Sequence, residues 1–214
     1  AYNAGPDALL VNFKALSFDF VPDPAANLAR VIATPQLAGL RLPASVPGSA
    51  GACGDWRARL RGDLGNPLAP VFRGRYPLSC GTRSWHVNAL DHSAYFGAVF
   101  RARWENEGGS WSGRIREATV PPGARLIASR ESRPLADVIR DINKFSNNVM
   151  ARQVFLTVGA HSSGQPGRGP RAAQAIRTFL AGRGQAMPEL VLENGSGLSR
   201  AERIAPTNLA AMLV

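Results

Sequence analysis

The chain has 214 residues, 45% of them hydrophobic, which is enough to bury a substantial core in one or two domains. Its net charge of +10 is carried by arginine at every basic position except Lys14 and Lys144, a balance that suits an anionic partner. The arginines are scattered without a dense run and no helix-turn-helix, zinc-finger or RNA-recognition signature accompanies them, so nucleic acid is not the expected partner; no apolar run approaches the ~18 residues that a membrane-spanning helix needs. In chain order, Leu10 to Val21 reads as extended chain, with Phe13, Phe18 and Phe20 among β-branched neighbours. Arg30 to Ala33, Trp85 to Leu90 and Arg114 to Val120 are further short strand candidates, closely separated by turn residues. Cys53 and Cys80 bracket a glycine- and proline-rich stretch; an even pair there reads either as a disulfide or as two buried thiols. Ser93 to Trp104 clusters Tyr95, Phe96, Val99 and Phe100 on one face and predicts a helix. Gly108-Gly109-Ser110 and Pro121-Pro122-Gly123 mark turns, and Glu105 and Glu107 read as solvated surface. Residues 1–127 are therefore expected to be mostly β with one helix.

From residue 128 the pattern becomes helical, giving an α+β fold overall. Pro134 suits a first helical turn, and Leu135, Val138, Ile139 and Ile142 recur at helical spacing. A second amphipathic run follows through Met150, Val154 and Val158, with Asn147 as its N-cap. Ser162 to Pro170 reads as a flexible loop; no strand precedes its glycines and no G-K-[ST] closes it, so it is not a phosphate cradle. Ala173, Ile176, Phe179 and Leu180 predict a helix stopping near Gly182 and Gly184. Glu189 to Glu193 is a strand candidate leading into Asn194-Gly195-Ser196-Gly197, and a last helix starts at Pro206. Ser199 and Glu202 have capping-box spacing, although Pro206 points to a later helix start. His86, His92 and His161 share no metal-ligand spacing with the cysteines, so no metal site is expected.

The polar turn between the first two of these helices holds the candidate chemistry. Ser146 and Asn148 stand two apart, and such a break can aim both side chains into one cleft; by themselves, Ser146 and Asn147 can equally be helix caps. Three stretches together decide how the turn is read. They are Ile142-Asn143-Lys144-Phe145-Ser146-Asn147-Asn148 with Met150-Ala151-Arg152-Gln153, then Glu193-Asn194-Gly195-Ser196-Gly197-Leu198-Ser199-Arg200, and the opening Tyr2-Asn3-Ala4-Gly5-Pro6-Asp7-Ala8-Leu9-Leu10-Val11-Asn12-Phe13. In family order and over nearly the whole chain, they resemble the D-alanyl-D-alanine carboxypeptidase/endopeptidase family, the class C low-molecular-mass penicillin-binding proteins.

That family uses three active-site elements, S-x-x-K, S-x-N and K-T-G. Here only the second is present, because Val11 and Asp141 stand three places before the two lysines and neither lysine is followed by Thr-Gly or Ser-Gly. The sequence reading therefore expects a fragment with the first element upstream and the third downstream, also because it opens without Met or a leader and stops within a helical pattern. The resemblance implies that residues 1–127 are inserted, mostly β, and that 128–214 are the helical portion of a serine β-lactamase/transpeptidase-like catalytic domain. It implies a serine-type carboxypeptidase acting through an acyl-enzyme on peptidoglycan stem peptides with no metal or organic cofactor, acylated by β-lactams and exported to the periplasm, which favours a Cys53–Cys80 disulfide. The catalytic residues it assigns to this stretch are Ser146 and Asn148; it places Lys144 close to the same cleft. The alternative is a non-catalytic peptidoglycan-binding or scaffold domain. The sequence does not specify an oligomeric state.

Overall fold

The computed structural model describes residues 4–213; Tyr2 and Asn3 of the opening motif, and Val214, lie outside them. The chain forms two compact units. The first covers residues 9–122 and is nested along the chain between two segments, 4–8 and 123–213, that together form the second.

In the first unit five strands form a mixed sheet in the order β6-β3-β2-β1-β7: β1 (Leu16–Asp23), β2 (Leu28–Thr34), β3 (Ser45–Ser49), β6 (Tyr76–Pro77) and β7 (Arg83–Val87). All neighbours are antiparallel except β3 and β6. β1, flanked by β2 and β7, shows the expected period-2 pattern: Leu16, Phe18 and Phe20 are buried on one face while the residues between them are half-buried. A short helix α1 (Trp56–Arg59) and the two-stranded hairpin β4 (Leu60–Asp63) and β5 (Val71–Gly74) cover that face. Rings interlock there, with Phe20 5.1 Å from Phe72 and 5.6 Å from Tyr76, and Phe72 5.3 Å from Phe18. Burying each such side chain contributes about 1.5–3 kcal/mol. Cys53 and Cys80 are bonded to each other, with Cα atoms 4.7 Å apart.

Helix α2 (His92–Asn106) is capped by Asp91, whose side chain accepts from the Ala94 amide. Tyr95 ties α2 to the start of β1: its hydroxyl donates to the Ala15 carbonyl at 2.8 Å and accepts from Asn12 Nδ2 at 3.3 Å. The expected strand from Leu10 is thereby corrected. Asn12, Phe13 and Lys14 form a turn with φ of 46°, 52° and 53°, and extended structure starts only at Leu16. Arg114 to Val120 forms no strand either; it is exposed and has no ladder partner. The predicted surface acids Glu105 and Glu107 pair one helical turn back with Arg101 and Arg103.

The second unit contains α3 (Leu135–Lys144), α4 (Asn148–Ser163), α5 (Gly169–Gly182) and α6 (Pro206–Leu213). Helices α4 and α5 pack around Phe155, Ala172 and Ala173. Their close approach depends on Gly159, where a Cβ would lie 2.7 Å from the Ala172 nitrogen. Ser162 and Ser163 belong to the last turn of α4, not to the following loop, because Ser163 Oγ bonds back to the Gly159 carbonyl at 2.7 Å and the helix is closed by Gly164 in the left-handed region. The strand expected at Glu189 to Glu193 reduces to one bridge between Val191 and Arg203. Among the described residues no helix is long and apolar enough to cross a membrane.

Candidate functional site

The turn between α3 and α4 is a compact double cap. The Asn147 amide reaches back to the Ile142 carbonyl at 2.9 Å and the Ser146 amide to that of Asn143 at 3.4 Å, the two bonds of a Schellman C-terminus. The residue that must turn left-handed in this motif is Ser146, with φ of 50°. Asn147 then opens α4: its Oδ1 accepts from the Met150 amide at 3.1 Å. One residue thus closes the first helix and begins the second. Asn148 is the first residue of α4, with its amide donating to the Ser146 carbonyl at 3.0 Å.

Capping in this turn falls to Asn147. Among the described residues, neither Ser146 Oγ nor the Asn148 carboxamide has a hydrogen-bond partner; Ser146 is exposed and Asn148 half-buried. Pro134 sits just before the first helical turn as the N-cap residue of α3. Phe145 is 70% exposed beside Ser146, with Lys144 Nζ 5.7 Å from its ring centroid.

The Gly-Ser-Gly stretch forms a second ordered element, anchored on α4. Gly195 packs on Phe155, where a Cβ would lie 2.7 Å from that side chain, and its φ of 72° also requires glycine. The anchor that sequence reasoning missed is Glu202. Its Oε1 accepts from the amides of Glu193, Asn194 and Gly195 at 3.1, 3.0 and 3.2 Å. Burial pushes the Glu202 carboxyl up, but the amide hydrogen bonds outweigh it and hold the group below the ordinary glutamate range. The available signal was the Ser199/Glu202 spacing. Instead of capping a helix, Glu202 turns back to the loop, and Ser199 Oγ bonds the Glu193 carboxylate. Asn194 Oδ1 closes the loop by accepting from the Ser196 amide and hydroxyl at 2.9 and 2.6 Å. Similarly, Glu189 caps α6 from outside, accepting from Asn208 Nδ2 and the Ala205 amide, which hold its carboxyl low.

Between this loop, α4 and α6 lies an apolar groove of about 900 Å³, lined by Ala151, Phe155, Gly195, Gly197, Leu209 and Met212 among others. Ser146 and Asn148 do not line it. From Asn148 to Phe155 α4 rises about 10 Å, so one helix carries the polar turn at its start and supports the Gly-Ser-Gly loop two turns on. Cys53 and Cys80 belong to the first unit.

A family model described as D-Ala-D-Ala carboxypeptidase 3 (S13) matches residues 2–214. Over 120 residues, 56% of this chain and 25% of the relative, the sequence is 26% identical to D-alanyl-D-alanine carboxypeptidase DacB of Haemophilus influenzae. It is 27% identical over 124 residues to a D-alanyl-D-alanine carboxypeptidase of an Actinomadura species, covering 56% of this chain and 23% of that one. Crystal structures of penicillin binding protein 4 from Haemophilus influenzae share the fold. One superposes with a TM-score of 0.71 at 18% identity, covering 99% of this chain and 47% of the other. A second, complexed with a β-lactam, gives 0.64 at 19% identity, covering 93% and 45%. The matched chains are thus about twice this length in the structures, and the match covers about a quarter of each curated relative.

Proposed function

The chain belongs to the D-Ala-D-Ala carboxypeptidase 3 (S13) family, and from that premise we propose that it is the part of a longer serine-type D-Ala-D-Ala carboxypeptidase/endopeptidase that carries the second active-site element. The substrates are D-Ala-terminated stem peptides of peptidoglycan, with β-lactams as acylating mimics, and the compartment is the periplasm. On this reading residues 1–127 are inserted domain and residues 128–214 the helical portion of the catalytic domain. The nested order of the two compact units along the chain supports an insertion, with the compact unit itself spanning 9–122.

One observation carries the assignment of the turn: Asn147 does the capping, which leaves Ser146 Oγ and the Asn148 carboxamide uncommitted on either side of it. In acyl transfer to a serine, the bond to the terminal D-Ala nitrogen breaks and that amine needs a proton. The Ser146 hydroxyl is suited to relay it. The Asn148 amide, both donor and acceptor, is suited to hold the substrate backbone against the nucleophile. The nucleophile itself, its lysine and the K-T-G strand are not among these 214 residues.

Labelling the longer protein with a fluorescent penicillin tests this reading. Ser146→Ala is expected to slow acylation by roughly 10²-fold; unchanged acylation and peptide hydrolysis would defeat the assignment. The rival reading, a wall-binding scaffold with no catalytic serine, predicts no covalent labelling of the longer protein at all.

A further inference from the structure

In the first unit five arginines, Arg57, Arg59, Arg61, Arg73 and Arg75, lie on or beside the β4–β5 hairpin. Its register sets Arg61 directly opposite Arg73, and just beyond the ladder the Arg75 amide donates to the Arg59 carbonyl at 3.3 Å. Side chains alternate along a strand. The inner face holds the buried Leu60, Gly62 directed at the Trp85 ring, and Phe72; Arg61 and Arg73 face outward. Just before β4, the Arg57 guanidinium lies 5.4 Å from the ring centroids of both Trp56 and Trp85.

All five arginines are exposed, and among the described residues none is in an ion pair. Arg75 donates instead to the Gly48 carbonyl at 3.1 Å. The acids of this segment are committed to backbone: Asp55 Oδ1 accepts from the Arg57 and Ala58 amides, and Asp63 Oδ1 from that of Gly65. The like-charge rung of Arg61 and Arg73 opposes the hairpin's own pairing, and the one carboxylate on that face, Asp63, accepts from the Gly65 amide. An external anion would relieve that.

We propose that this arginine face is a docking surface for the carboxylates of peptidoglycan stem peptides, which rests on the reading of the chain as part of a wall enzyme. Guanidinium forks match planar carboxylates, and several of them close together suit a polymer that presents such groups repeatedly. A membrane surface fits less well, since large apolar side chains should project beside the cations, and here the outer face offers only Val71 at 45% exposure. Single-stranded nucleic acid would need an exposed aromatic platform; Trp56 and Trp85 are half-buried, with Arg57 over both.

Co-sedimentation of the 214-residue chain with purified insoluble peptidoglycan at low salt tests the proposal. R61Q/R73Q is expected to weaken binding about tenfold and Arg61→Gln alone about threefold, with thermal unfolding unchanged or raised because a like-charge rung is gone. R125Q/R130Q, which removes the same charge from exposed positions elsewhere, is expected to bind as the unaltered chain does. Amidating the wall carboxyls should reduce binding to the level of the double variant. Wall binding retained by R61Q/R73Q, an equal loss in R125Q/R130Q, or indifference to amidation would overturn the proposal. So would stronger binding to phosphatidylglycerol vesicles or to an oligonucleotide. Penicillin labelling separates this outcome from the catalytic reading: R61Q/R73Q should leave acylation of the longer protein unchanged, whereas Ser146→Ala should leave wall binding by the hairpin unchanged.

Discussion

Ser146 holds a backbone conformation that its side chain does not favour. A residue with a Cβ in the left-handed region is disfavoured relative to glycine, by about 1–2 kcal/mol, and helices that end in this motif usually place glycine there. Glycine would therefore serve the turn better, and a polar side chain kept at such a position is consistent with use of its hydroxyl. Ser146→Gly is expected to stabilise the chain by about 0.5–1 kcal/mol, the relieved strain being partly offset by the freer unfolded chain, while slowing acylation as Ser146→Ala does. Denaturant midpoints and penicillin labelling read the two effects separately; a destabilised Gly variant would show that the hydroxyl supports the turn. The neighbouring asparagines divide the same way. Asn147→Ala should cost about 1 kcal/mol through the lost N-cap. Asn148→Ala should shift stability by less than about 0.5 kcal/mol yet impair β-lactam acylation. Equal stability losses from the two alanine variants would contradict this division of roles.

At the scale of an element, the Glu193–Gly197 loop depends on one carboxylate that three successive amides share. With the folded carboxyl below its ordinary value, the unfolded chain takes up the proton first as pH falls. The stabilisation is thus complete above the ordinary glutamate value and is lost as the pH drops through the lowered one. Exchange of the Glu193, Asn194 and Gly195 amides, corrected for intrinsic rates, should lose protection over that window, while amides inside α5 do not. Because Glu202 is partly exposed, Glu202→Ala is expected to speed those three amides by roughly tenfold, the lower end for bonds to a charged acceptor. This contact was not legible in the sequence: the Ser199/Glu202 spacing fits a cap, and nothing local says that the carboxylate turns back nine residues to the Glu193 amide. Helices α2 to α5 were legible because their periodicity is local, and so was Asn147 as a cap. Strands were less so, since a partner makes them. Arg114 to Val120 has strand-like residues but no partner strand, and the Asn12–Lys14 turn is held by Tyr95, 83 residues from Asn12.

Across the whole molecule, the segment that the disulfide closes is notable for how little regular strand pairing orders it. Between Ser49 and Arg83 the chain contributes two residues to the main sheet, Tyr76 and Pro77, each paired once with β3, and the four-pair hairpin β4–β5. Much of what orders this stretch is the ring cluster of Phe20, Trp56, Phe72, Tyr76 and Trp85, together with the bond joining residues 27 apart in sequence. Closing a loop of that length limits the unfolded chain and contributes roughly 3–4 kcal/mol. That is a sizeable fraction of what holds a domain folded. Reduction, or Cys53→Ser with Cys80→Ser, should therefore lower the unfolding midpoint of residues 9–122 and release the ring cluster, seen as early loss of the near-ultraviolet circular dichroism of its Trp and Tyr side chains. Helices α3 to α6 contain no cysteine and should keep their far-ultraviolet signal to the denaturant concentration at which the oxidised chain loses it. Coincident near-ultraviolet transitions for oxidised and reduced chains would mean that the aromatic cluster alone holds the segment.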